Sequence, residues 1–229
     1  MHIKRFLMAS YKKLRICESG VIIVEFAYVL PLFVILSFTG IEVSSLAIAN
    51  MRVSQIAMTV ADNMSRIAES VPLTAPQLRE VDINDTLLGA RIQGGTGLPL
   101  FENGRVIVSS LQQNATGRQT IKWQRCKGLL NVVSAYGVQG ATQPNAPATN
   151  GFQGMGTGTS RVQAEPNSAV IFVEVTYTYK PLVASSLIGP QTLRKEAAFY
   201  VRDDRDLNTN YNPNPMSPVS TCNLYNTNF

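Results

Sequence analysis

Polar and apolar positions divide the chain into stretches of different periodicity. Residues 21–41 read VIIVEFAYVLPLFVILSFTGI, an apolar run broken only by Glu25 and a few small or hydroxyl side chains. From Ile41 to Val71 neither proline nor glycine occurs. There, apolar residues recur at Leu46, Val53, Ile56, Val60, Met64, Ile67 and Val71, with Ser45, Arg52, Thr59, Asn63 and Arg66 between them. Spacings of three, four and seven place the first set on one narrow stripe of a helix and the second set opposite. The two stretches together predict one helix of about fifty residues, roughly 75 Å long, stopped by Pro72 and Pro76. Packing on the rest of the protein is one use of the stripe; a coiled-coil partner is the alternative.

Beyond Pro76 the pattern changes to strands. Residues 86–92, 105–111, 119–125, 169–179 and 197–202 are rich in Val, Ile, Tyr, Phe and Thr. Alternation is clearest where Ile171, Val173, Val175, Tyr177 and Tyr179 interleave with Phe172, Glu174, Thr176 and Thr178. Residues 128–135 read as a short helix ended by Gly137. Two segments, 138–168 and 207–229, are dominated by Gly, Gln, Asn, Pro and Thr and read as a mobile loop and a polar C-terminal tail. The expected fold class is α+β, a long N-terminal helix packed on an antiparallel sheet. The expected parts are a basic leader (1–20), an apolar spanning helix (21–41), an amphipathic helix (42–71), a β-rich domain (77–206) and the tail.

Length decides what the apolar run is. Its 21 residues extend about 32 Å as a helix, matching a hydrocarbon core near 30 Å. A cleaved signal peptide is the main competitor, because Ala47-Ile48-Ala49 fits a small-x-small cleavage site. The run is longer than an ordinary signal core and carries a carboxylate, and helical patterning continues through the alanines. Charge then sets orientation. Lys4, Arg5, Lys12, Lys13 and Arg15 precede the run, and the next basic residue is Arg52. The positive-inside bias places the N-terminus in the cytoplasm and the rest outside.

The same charges narrow the function classes. Of 20 basic and 15 acidic residues in the chain, the head holds five and one, leaving 15 against 14. The expected partners include membrane lipid and no nucleic acid, which would call for a basic folded face. The single histidine is His2, so a histidine-based triad in the folded part is excluded, and neither an enzyme nor a cofactor is expected. Gly154-Met155-Gly156-Thr157-Gly158 follows no predicted strand and precedes no Lys, so it is not a phosphate loop. Asp203, Asp204 and Asp206 lack calcium-loop spacing and read as a solvated cluster. Cys126 and Cys222 fall on the oxidising side and Cys17 on the reducing side, which makes the outer pair the expected disulfide.

Two residues inside the apolar run need an account. Glu25 is costly in lipid, and such residues usually mark function, although a position about 6 Å inside the run also permits snorkelling to the headgroups. Pro31 removes a backbone hydrogen bond and is expected to kink or loosen the helix.

The string Glu18-Ser19-Gly20, Val21-Ile22-Ile23-Val24-Glu25-Phe26, Ala27-Tyr28-Val29-Leu30-Pro31-Leu32 resembles the start of type IV-type prepilins. It is most similar to the TadE/TadF-like pseudopilins of tight-adherence (Tad/Flp) pilus systems. A looser similarity covers Val173-Glu174-Val175-Thr176-Tyr177-Thr178-Tyr179-Lys180-Pro181-Leu182 and Ile188-Gly189-Pro190. The resemblance implies a pilin-like subunit cut by prepilin peptidase between Gly20 and Val21. It further implies that Glu25 and Phe26 serve subunit assembly, with other pilins and the Tad machinery as partners and adhesion as the purpose. Five cations cannot follow a helix out of lipid, which fits removal of the head. The cut frees an amine on Val21 that can offset a neighbouring subunit's Glu25.

Overall fold

The computed structural model describes residues 19–68, 75–115, 117–141, 154–158, 161–183 and 189–229. The basic head with Cys17, the stop at Val71 and Pro72, the middle of the 138–168 segment and Ile188 lie outside the described residues.

The long helix is present as α1, Ser19–Arg66, 48 residues that run without a break through Pro31. Its second half carries the stripe expected from the sequence: Val53, Ile56, Val60 and Met64 are fully buried, and Leu46 and Ile67 lean on the same core. Ala49, Ala57 and Ala61 are buried beside them, so small residues widen the stripe into a face that the larger ones alone did not reveal. The helical pattern was expected to reach Val71, but α1 stops at Arg66. Arg205 explains the stop. Its buried guanidinium donates to the carbonyls of Met64 (2.9 Å) and Ile67 (2.6 Å), satisfying acceptors that a helix end leaves open.

Helix α2, Glu80–Gly94, corrects the expectation of a strand over 86–92. Asp82 accepts the backbone N–H of Arg79 at 3.1 Å, and Glu80 and Asp82 place negative charge in the first turn. Ile83, Leu87, Ala90 and Gly94 are buried at helical spacing. That period outweighs the β-branched residues that suggested a strand.

The sheet comprises β1 Gly104–Gln113, β2 Gln119–Lys127, β3 Ala169–Tyr179 and β4 Gln191–Tyr200, ordered β2-β1-β3-β4 and antiparallel throughout. The fold is therefore α+β, as expected. Four of the five expected strands are found, although the last, expected over 197–202, begins earlier, at Gln191. One face of the sheet, through Val106, Val108, Val173, Val175 and Tyr177, joins α1 and α2 in the main core. The other presents Leu111, Ile121, Val170 and Phe172, which pack on Met155 and Ala164. Part of the 138–168 segment is thus packed rather than loose, with Met155 paired to Val162. The short helix expected over 128–135 is absent. Gly128 sits at φ 123°, where a Cβ would lie 2.2 Å from the Gly104 carbonyl oxygen, so the chain leaves β2 in a turn open only to glycine.

The C-terminal segment also departs from expectation. Residues 207–229 lie against the domain. Tyr211 exchanges backbone hydrogen bonds with Leu78 and Glu80, and Ser220 and Asn226 accept the N–H groups of Cys126 and Gly128. The segment covers the β2 edge, which would otherwise be an open row of donors and acceptors. Phe229 packs on Phe101 with ring centroids 5.8 Å apart. The Cys126–Cys222 disulfide, with Cα atoms 4.7 Å apart, fastens this strap to β2.

The bond closes a loop with a sequence separation of 96, worth up to about 4–5 kcal/mol in the chain-entropy model. Cys222→Ser is expected to abolish the mobility difference between reduced and non-reduced gels and to lower the denaturation midpoint. An unchanged midpoint would show that the strap is held by its backbone bonds alone. Ile56→Ala is expected to cost about 2–5 kcal/mol, as for a fully buried aliphatic, read from Trp123 fluorescence during denaturant unfolding.

Candidate functional site

The first half of α1 is the outstanding surface of the molecule. The segment is long and apolar enough to cross a membrane, and none of its apolar window is buried against the rest of the protein. Phe26 and Tyr28 are 63% and 78% exposed, and Val21, Ile23, Leu32, Phe33 and Leu36 are similarly bare. A patch this large marks a membrane or protein interface. Two hydroxyls along it bond within the helix: Thr39 and Ser44 donate to the carbonyls of Ile35 and Gly40, each at 2.8 Å.

The site residues expected from the sequence are placed as follows. Gly20 and Val21 lie in the first turn of α1, already helical. Glu25 is one turn further on, four positions from Val21 and on the same face, with its side chain exposed. Among the described residues it forms no hydrogen bond or ion pair. Phe26 is adjacent and exposed. Pro31 lies inside an unbroken helix. Cys126 and Cys222 are far from this surface, at the strap.

Where the exposed half meets the packed half, a residue that the sequence reading passed over holds the domain in place. Glu42, directly after the apolar run, is only 4% exposed. Its carboxylate accepts the Tyr179 hydroxyl at 2.7 Å and the N–H groups of Leu182 and Val183 at 2.9 and 3.0 Å. The end of β3 and the turn after it are thus clasped to α1 at the boundary. A carboxylate with several donors tolerates burial. The signal in the sequence was an acid at the exit of the apolar run, but its partners are 137 to 141 positions away.

Other buried charges join elements of the domain. Glu80 and Arg125 form a two-pronged pair joining α2 to β2. Glu174, on β3, accepts the Ser134 hydroxyl, the Ala135 N–H at 3.0 Å and the Arg194 guanidinium at 2.7 Å. Burial pushes this carboxyl upward, against the pull of those donors. Arg105 is buried and donates to the carbonyls of Gly128 (3.3 Å) and Cys222 (2.6 Å), with its guanidinium 3.9 Å from the Tyr225 ring centroid. It lines a groove of about 340 Å³ beside the disulfide, with Val132, Val133 and Val138. The aspartate cluster is not freely solvated: Asp206 accepts from Tyr211 and the Asn208 N–H, and Asp203 faces Arg205.

Comparison with protein-family models, with curated proteins and with solved structures gave no match.

Glu42→Gln weakens the clasp by replacing a charged acceptor with a neutral one. The expected result is a loss of about 1–3 kcal/mol and faster hydrogen exchange at the Leu182 and Val183 amides. Unchanged exchange would remove the clasp from the account. Burial first, then the hydrogen bond to Glu42 and its charge, pushes the Tyr179 hydroxyl up to about 12. The folded state therefore prefers the protonated phenol. Its contribution is complete below the ordinary value near 10 and is lost as pH rises through about 12. Melting temperature should fall across that alkaline window, and Tyr179→Phe should flatten the fall.

Proposed function

We propose that this chain is a pilin-like structural or assembly subunit of a bacterial Tad-type pilus, held by one helix in the inner membrane until it is assembled. The observation that carries the reading is the continuous α1 helix, with one half entirely bare and apolar and the other half forming the spine of an α+β domain. Glu25 lies on the bare half without a partner among the described residues. In a bundle of such helices, the freed amine of Val21 on a neighbouring subunit would supply the counter-charge, lowering the cost of placing both charges in an apolar setting. Prepilin peptidase would make that amine by cutting after Gly20. The basic head would hold the N-terminus in the cytoplasm, leaving the sheet and its disulfide in the periplasm or outside.

The groove beside the disulfide favours one second reading, an uncleaved anchored protein whose outer domain binds a partner there. Arg105 Nε is buried in it without a hydrogen-bond partner. The two readings part at the N-terminus. Mass spectrometry of protein from native membranes should find Val21 first; an intact Met1 in cells with active peptidase would overturn the pilin reading. Glu25→Ala should leave membrane insertion intact and abolish assembly, whereas normal fibres would remove its proposed role.

A further inference from the structure

At the boundary between the two halves of α1, a cavity of about 330 Å³ opens between the helix, the loop before β1 and the end of β3. Arg52 and Lys180 line it together with Tyr177, Tyr179, Asn103 and Leu182. Both cations are exposed, and neither forms an ion pair among the described residues. The Arg52 guanidinium lies over Gly97, with Nη1 3.3 Å from where a Cβ would stand.

The Glu42 clasp sets the depth of this site. Because the Leu182 and Val183 amides bind a carboxylate immediately after Ile41, the turn lies level with the end of the apolar run. Leu182 and Val183 are 70% and 44% exposed there, and Ile48, which lines the cavity with Leu182, is exposed as well. Arg52 stands about 15 Å of helix beyond Glu42, and its side chain leans back toward the N-terminus, which shortens that gap. Apolar tips at the hydrocarbon edge, Lys180 beside them and Arg52 at the outer end of the cavity follow the order of layers in a phospholipid leaflet.

We propose that this cavity is a phospholipid headgroup site: Arg52 and Lys180 take the phosphate of an anionic lipid, and Leu182 and Val183 dip into the interface, seating the domain on the membrane. The inference rests on the membrane-spanning part of the proposed function but not on cleavage or on Glu25.

The test uses the uncleaved full chain in nanodiscs of phosphatidylcholine or phosphatidylglycerol. Native mass spectrometry should show phosphatidylglycerol retained over phosphatidylcholine, with retention falling about five-fold for each of Arg52→Ala and Lys180→Ala. Leu182→Trp, in a Trp123→Phe background, should be quenched by lipids brominated near the headgroup. Incorporation with no lipid preference and no quenching would overturn the site while leaving the span intact. Shielding of the L182W fluorophore that grows with the number of chains per disc, without quenching, would assign the patch to a second copy and overturn it equally. Failure of the chain to enter nanodiscs would overturn both the site and the span.

Discussion

A single uninterrupted helix that must satisfy two surroundings is the constraint on which the rest of this molecule depends. Away from its ends and from Pro31, α1 satisfies its own backbone, so the main question at each position is what the side chain meets. From Val21 to Ile41 no side chain is buried against the protein. From Ala49 to Met64 one face meets a closed core. The sheet, α2 and the strap can be understood as what is needed to cover that second face while leaving the first bare.

The join between the two halves is held by charge. Glu42 is placed where the apolar surroundings end, and its carboxylate fixes the turn after β3 to the helix. At the far end Arg205 does the reverse, offering a guanidinium to the last carbonyls of α1. The domain therefore touches the packed half of α1 through hydrophobic contact along its length, through Glu42 at one end, and through Arg205 and the Arg202–Asp62 pair at the other. Only the stretch before Glu42 is left to find its surroundings elsewhere.

Much of this was legible in the sequence because it is local. The apolar run declares itself by length, the amphipathic stripe by period, and β3 by alternation, with the same bounds in sequence and structure. The cysteine pairing followed from compartment, since the expected orientation put Cys17 on the other side. The failures are also physical. Helix α2 was obscured by Thr86 and Ile92, although Ile83, Leu87 and Ala90 already had helical spacing and Asp82 the position of a cap. The strap has a composition that resembles disorder, but its order comes from backbone bonds to β2 and from Phe229, which composition does not encode. Glu42, Arg105 and Arg205 were missed because each bonds to groups distant in sequence. In the candidate site, the exposure of Glu25 and Phe26 was foreseen, and the clasp at Glu42, about 25 Å further along α1, was not.

Membranes from cells making the full chain, washed at alkaline pH and then exposed to protease from the periplasmic side, test the two-surroundings claim most directly. The account predicts that the chain stays in the membrane pellet and that protease removes the sheet domain while sparing a fragment containing residues 21–41. Release of the intact chain into the alkaline wash would contradict it, because the bare half of α1 would then have no lipid to account for its exposure.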